Sequence, residues 1–346
     1  MVLLVPFLPI FGYYLGGGWC HLITPGFVFG LIPLLDLLIP KYQKNPRSEE
    51  EKKIKEKLSY RLITWICAPL HLGVVSWGLY VVAVDWQITW WETFLLAISI
   101  GISGGVVGIN TAHELGHRVN NNFEPFLSRL MLWPNFYMHW IIEHVTGHHR
   151  YVSTPQDPAT APLNMNVYRF WFRSVFGGFS RVWKFEKERL KRKKQNPYGF
   201  HNRVIVYTIF EILPVILIGI FLPLSSLILY LIQGFVAFSL LEIINYVEHY
   251  GLLREKKDGK YEKVKPIHSW NSNQWLTNHF LFQLQRHSDH HFRAGRRYQI
   301  LRYHEDSLQL PTGYAGMVVL ALIPPLWKKI MNPRIPNKMK PQSSHK

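Results

Sequence analysis

Three stretches of the chain carry no lysine or arginine: residues 1–40, 62–117 and 204–253. Within them apolar residues run for the length of a membrane-spanning helix, which needs about 20 mostly apolar positions. The runs predict six spans, at about 2–15, 25–39, 62–84, 93–112, 204–222 and 225–246. The first is short. It lacks the basic start and small-residue cleavage site of a signal peptide, so it reads as a span. Gly16-Gly17-Gly18 joins the first two spans, and Pro223 divides the last two into a tight hairpin. The spans are nearly free of Asp, Lys and Arg, with Asp36 and Glu211 the charges noted inside them.

Lysine and arginine fall in 41–59, in 118–203 and in the tail from Arg254, whereas the links near Trp19, 85–91 and 222–225 have none. With six spans every basic segment lies on one side, so both termini face the cytoplasm of a bacterial inner membrane. Trp19, Trp86, Trp90 and Trp91 fit the aromatic belt of the opposite face. The predicted class is all-α, a polytopic membrane protein of six helices with a cytoplasmic histidine-rich cap. The divisions are spans one to four with the loop 41–61 (1–112), a first cap segment (113–203), spans five and six (204–246), a second cap segment (247–330) and a disordered tail (331–346). Residues 168–183 read as an amphipathic helix in the interface and 184–194 as a charged helical run. Residues 314–327, broken by Pro324-Pro325, read as a helix lying on the membrane rather than a seventh span.

Composition narrows the class. The balance of 39 Lys+Arg against 22 Asp+Glu gives +17, but the segregation of the charge argues for a membrane surface and against nucleic acid. Two cysteines rule out a disulfide scaffold and a fused four-cysteine metal module; Cys20 and Cys67 read as buried, inert thiols. Histidine is abundant at 17, and most of it clusters.

Four clusters carry the chemistry. His113-Glu-Leu-Gly-His117 places two imidazoles on one helical face as the fourth span leaves the membrane. Alone it suggests a zinc protease with Glu114 as base, but the further histidine boxes argue against that. The others are His144-Val-Thr-Gly-His148-His149, His249 at the end of the sixth span, and His287-Ser-Asp-His290-His291. Nine imidazoles exceed the roughly four that one zinc takes, so they fit two ions, with Fe, Cu, Zn and Ni all compatible. Glu114, Glu143, Glu248, Asp289 and Asp157 lie in or beside the clusters and are candidates to orient the rings. His139, His268, His279 and His304 are isolated and read as supporting or structural; His21, His71, His201 and His345 carry no functional reading. A divalent-metal transporter would need polar residues within the spans, and the histidines lie outside them.

His113-Glu-Leu-Gly-His117-Arg118, Glu143-His-Val-Thr-Gly-His148-His149, Asn245-Tyr-Val-Glu-His249-Tyr-Gly-Leu and Leu284-Gln-Arg-His287-Ser-Asp-His290-His291 together resemble the membrane alkane 1-monooxygenase (alkane hydroxylase) family. Ser153-Thr-Pro-Gln-Asp157-Pro-Ala and His268-Ser-Trp-Asn271-Ser-Asn lean the same way. The resemblance implies a six-helix fold with a di-iron cap. It implies two irons (Fe2+/Fe3+) held by His113, His117, His144, His148, His149, His249, His287, His290 and His291. It implies O2 as co-substrate and terminal hydroxylation of medium- or long-chain n-alkanes entering from lipid. It implies electrons from a rubredoxin, here a separate protein served by a rubredoxin reductase. Family members often carry a longer arm before the first span. Arg293, Arg296 and Arg297, after the last cluster, are candidates to dock an acidic donor. The substrate channel is expected among the third, fourth and sixth spans. The alternative is a related oxygenase or desaturase acting on aryl methyl groups or fatty acyl chains, as in xylene monooxygenase.

Overall fold

The computed structural model describes residues 1–118 and 121–339. Among the described residues, five helices are long and apolar enough to cross a membrane: α2 (Gly18–Leu38), α4 (Leu58–Val84), α5 (Trp90–Gly116), α9 (Arg203–Phe221) and α10 (Leu224–His249). They correspond to the second to sixth expected spans. The first is a shorter apolar stretch, Val2–Tyr14, ending in α1 (Phe7–Tyr14). Its length falls short of a full crossing, because Gly16, Gly17 and Gly18 take positive φ and turn the chain at once into α2. Large apolar side chains face outward along the long helices, among them Leu34 and Leu37 of α2 and Phe210, Ile220 and Phe221 of α9. A membrane supplies the solvent such surfaces need. Trp19, Trp86 and Trp90 stand exposed near the helix ends on one side.

Helices α5 and α10 form the spine. A Cβ at Gly101 would lie 2.6 Å from the Gln233 carbonyl oxygen and 2.7 Å from the Val236 Cβ, so the two backbones meet where only hydrogen fits. The loop after α2 holds a charged helix, α3 (Ser48–Glu56). Beyond α5 come α6 (Phe123–Leu132) and the ligand-bearing helix α7, residues 140–151. The aromatic stretch and the charged run expected separately form one helix, α8 (Val167–Arg192). Tyr168, Phe172, Phe176 and Phe179 line its outer face, and Phe170, Val182 and Leu190 are buried. Past α10 the chain turns at Gly251 (φ 72°) into the second cap segment, with α11 (Trp275–Phe280), α12 (His287–Phe292), α13 (Tyr314–Ala321) and α14 (Pro324–Met331). Trp270–Asn271 pairs in parallel with Leu308–Gln309 and fixes the loop ahead of α12.

Three helices contain a widened, π-helical turn: Gly26–Leu31 in α2, Gly104–Ile109 in α5 and His144–His148 in α7. The expected disordered tail differs at its start. Tyr250 donates to Asn332 Oδ1 (2.8 Å), and Ile335 and Met339 are buried in the cap core, so residues 332–339 are packed. Residues 340–346, including His345, lie outside the described residues. Cys67 is buried as expected, whereas Cys20 is only half-buried.

Candidate metal centre

His113 lies in the last turn of α5 and His249 closes α10, so both rings sit where apolar helices give way to the cap. Helices α7 and α12 bring the other boxes against them. The structure gathers all nine histidines into two groups: His113, His117, His144, His149 and His290 in one, and His148, His249, His287 and His291 in the other. Within each group the candidate ligand atoms lie within 4.8 Å of one another. The groups meet where the His149 and His291 rings stack, centroids 4.4 Å apart.

The contacts inside each group are between Nε2 atoms. His144 lies 3.0 Å from His117 and 3.1 Å from His149, and His149 lies 3.1 Å from His290. In the second group His287 is 3.1 Å from His249 and 2.9 Å from His291. The Nε2 atoms of His113 and His148 are buried with no hydrogen-bond partner. Neutral imidazole has one N–H and one lone pair, so converging Nε2 atoms cannot all satisfy one another. Two nitrogens each about 2.1 Å from one cation, at right angles, would be about 3.0 Å apart. The spacing and the thiolate-free donor set therefore fit two transition-metal ions.

The electrostatics agree. Burial holds His117, His144, His149, His287, His290 and His291 well below the usual imidazole range, as neutral ligands. His148 differs. Burial alone would depress it, but Asp157, 2.9 Å from its Nδ1, outweighs burial and raises it. Burial likewise opposes ionisation of Asp157, but His148 holds its carboxyl well below the usual carboxylate range.

The five carboxylates divide. Asp157 orients His148, and Glu248 Oε2 lies 3.1 Å from His287 Nε2. Glu114 pairs with Arg118, which also donates to the carbonyls of Gly295 and Arg296 and so ties α5 to the chain after α12. Glu143 lies 3.5 Å from Arg181. Asp289 accepts from Arg296 and His304, each at 2.7 Å, and touches no ligand imidazole. Two of the three candidate docking arginines point inward: Arg296 to Asp289, and Arg297 to Glu124 at 3.0 Å. Arg293 is exposed.

An apolar cavity of about 850 Å³ ends on this centre. Its walls are Val28, Phe29 and Ile32 of α2, Val106 and Ile109 of α5, Leu240, Leu241 and Ile244 of α10, and Phe280, Ala315 and Val318 of the cap. His113, His144, His287 and Glu248 form its polar end. The second span takes the place expected of the third, because α2 lies against the cap: Asp36 accepts from the backbone N–H (3.2 Å) and the hydroxyl of Thr277, which lines the cavity. The sequence reading also passed over Glu242, a buried carboxylate in the sixth span. Its signal was the single acidic residue within the predicted span 225–246.

Residues 89–319 match the fatty acid desaturase family. The chain is 42% identical over 312 residues, 89% of its length, to alkane 1-monooxygenase 2 of Pseudomonas aeruginosa, covering 82% of that protein. It is 41% identical over 349 residues, 97% of its length, to alkane 1-monooxygenase 2 of Alcanivorax borkumensis, covering 88% of it. The hydroxylase component of a xylene/toluene monooxygenase from Pseudomonas putida is more distant, at 27% over 336 residues. Histidine boxes at the end of apolar helices, gathered into two metal-binding groups at the foot of an apolar cavity, belong with these relatives: the chain is a membrane-embedded member of the fatty acid desaturase family, among the alkane 1-monooxygenases.

Proposed function

We propose that the protein hydroxylates the terminal methyl group of medium- or long-chain n-alkanes to 1-alkanols. It uses O2, two irons and electrons from a separate rubredoxin. The observation that carries this reading is the apolar cavity whose only strongly polar end is built from imidazoles of both groups. The names of the relatives supply the alkane. Two irons, when bound, supply the redox chemistry that turns O2 against a C–H bond. His113, His117, His144, His149 and His290 would hold one, and His148, His249, His287 and His291 the other.

The chain's own contribution is position and exclusion. The walls are mostly apolar away from the metal-facing end, so the chain enters from lipid end-on and presents its terminal carbon. Terminal C–H bonds are stronger than internal ones, so selectivity rests on this shape. Trp140 stacks on His144, centroids 4.6 Å apart, and fixes the ring at the cavity floor. The apolar walls keep water away from the reacting carbon.

The basic segments support a cytoplasmic cap at the inner membrane, with both termini on that side. His117 and His149 are the less buried imidazoles of the five-membered group, so electrons enter there, beside exposed Arg150 and Arg293. These two, rather than the inward-paired Arg296 and Arg297, are suited to meet an acidic donor.

The test is expression in membranes with a rubredoxin and its reductase, fed with n-alkanes, an aryl methyl compound and a fatty acid. Mainly 1-alkanols by gas chromatography–mass spectrometry are expected. Benzyl alcohols or alkenes as the main products would move the protein to the related oxygenases or desaturases.

A further inference from the structure

Beside the apolar cavity lies a smaller one of about 260 Å³ with different walls: Tyr137, His139, Glu143, Ser174, Glu242 and Asn245. Polar partners on several sides make it a place where a single water is stable. It begins at Gly178 of α8, a half-buried position on the cap, and ends at α10. Glu242 sits at that inner end, 1% exposed, in a helix otherwise suited to lipid. A buried carboxylate is costly there. Tyr137 donates to its Oε1 at 2.6 Å and Asn245 Nδ2 to its Oε2 at 3.3 Å, and neither partner is a cation.

The spacing along α10 continues inward. Glu242, Asn245 and Glu248 fall at i, i+3 and i+6, so they form a stripe that winds through about 120° of the helix. Asn245 lines both cavities, and Glu248 lines the apolar one against His287. The stripe therefore joins the polar cavity to the metal-facing end of the apolar one.

Alkane oxygenation, on the reading given above, needs such a route. One oxygen atom of O2 enters the C–H bond, whose hydrogen ends on the new hydroxyl. The other leaves as water after taking two electrons from the donor and two protons from solvent. The apolar walls that exclude water also exclude those protons. We propose that Glu242 relays protons from the polar cavity, past Asn245, to the metal-facing end of the apolar cavity. It acts through its neighbours, so it is a positioning and relay residue rather than a catalytic one. The groups around it are Tyr137 and His139 from the chain before α7, Glu143 from α7, Ser174 from α8 and Glu211 from α9, with the His148 charge acting from further off.

The experiment compares wild type with Glu242→Gln, Glu242→Asp and Gly178→Leu in the complete system with rubredoxin and reductase. The last fills the outer end of the polar cavity, where a Cβ meets only Glu143 Cγ at 3.9 Å. It tests the route even if Glu242→Gln fails to fold. Iron per chain, KM for alkane, kcat, peroxide released per alcohol formed and the solvent deuterium isotope effect are read for each. Glu242→Gln is expected to keep wild-type iron and KM and to lose about 10²-fold in kcat, the lower end of what a positioned proton-transfer group contributes. Its isotope effect and peroxide release rise, and Gly178→Leu shares these changes. Glu242→Asp, which still titrates, recovers most of the rate. Wild-type rate and coupling in Glu242→Gln or Gly178→Leu overturn the relay, as does a slow Glu242→Gln with an unchanged isotope effect or lost iron. A wild-type enzyme that oxidises no alkane overturns instead the oxygenase reading on which the relay rests.

Discussion

Asp157 is fully buried, and its carboxylate accepts from His148 Nδ1 (2.9 Å), Thr160 Oγ1 (2.7 Å) and the Ala159 N–H (3.2 Å). Replacing it by Asn keeps an acceptor for His148 but removes the charge. Replacing it by Ala leaves the ring N–H unpaired in the interior, at a cost of about 1–3 kcal/mol. Partners that orient a metal-bound histidine are typically worth 10–100-fold in metal affinity, or about 1.4–2.7 kcal/mol. Asp157→Asn should fall near the lower end and Asp157→Ala near the upper. His148 belongs to the four-imidazole group, so the loss should empty that site and spare the other. The assay is iron per chain during titration with chelators of graded strength at one fixed pH. Iron content falling from two to about one per chain, at weaker chelator for Ala than for Asn, is expected. An Asp157→Ala protein with the wild-type profile refutes the argument. The pH dependence has a fixed sign. His148 is raised in the metal-free protein and must lose its proton to bind metal, so uptake weakens as pH falls through that raised value. In Asp157→Asn this weakening shifts to lower pH. The metal-free pair stabilises the fold most between about pH 4 and 6.5. Below that range the depressed Asp157 gains a proton, and above it the raised His148 loses one.

His149→Ala and His287→Ala should each abolish turnover and lower bound iron, the first from the five-imidazole group and the second from the four; near-normal activity in either sinks the assignment of nine ligands. Gly101→Ala places a methyl group against the Gln233 carbonyl and Val236, and should destabilise the spine by about 1–3 kcal/mol, visible as a lower thermal midpoint in detergent. Ala315→Phe narrows the apolar cavity without touching a histidine. It should shorten the longest alkane oxidised while leaving iron content unchanged, and an unaltered product range would show that Ala315 does not border the bound chain.

Gaps in lysine and arginine made five long spans legible, because a bilayer forbids charge over a fixed length. The histidine spacing made the ligands legible as a set, because i,i+4 pairs must share a helix face. How the set divides was not legible. His148 joins His249, His287 and His291, while its neighbours His144 and His149 join the other group. The widened turn at His144–His148 redirects those side chains, and regular helical spacing does not register it. The inward pairing of Arg296 and Arg297 was equally hidden, since their partners Asp289 and Glu124 are set by tertiary packing. The same holds for the second span's place at the cavity, which depends on the contact between Asp36 and Thr277 across the fold.

The three widened turns, at Gly26–Leu31, Gly104–Ile109 and His144–His148, all contribute residues to the apolar cavity. Each absorbs one extra residue as a local bulge, so the helix on either side keeps its facing, whereas a one-residue insertion or deletion outside the bulge turns everything downstream by about 100°. In α5 that rotation would carry His113 and His117 away from their partners; in α7 it would break the five-imidazole group from within. Substitutions along these segments are graded, because side chains repack. Insertions and deletions are not, because they change which way a whole helix end faces. The lineage of this centre is therefore free to vary in the character of its walls, and bound in the number of residues that lead to it.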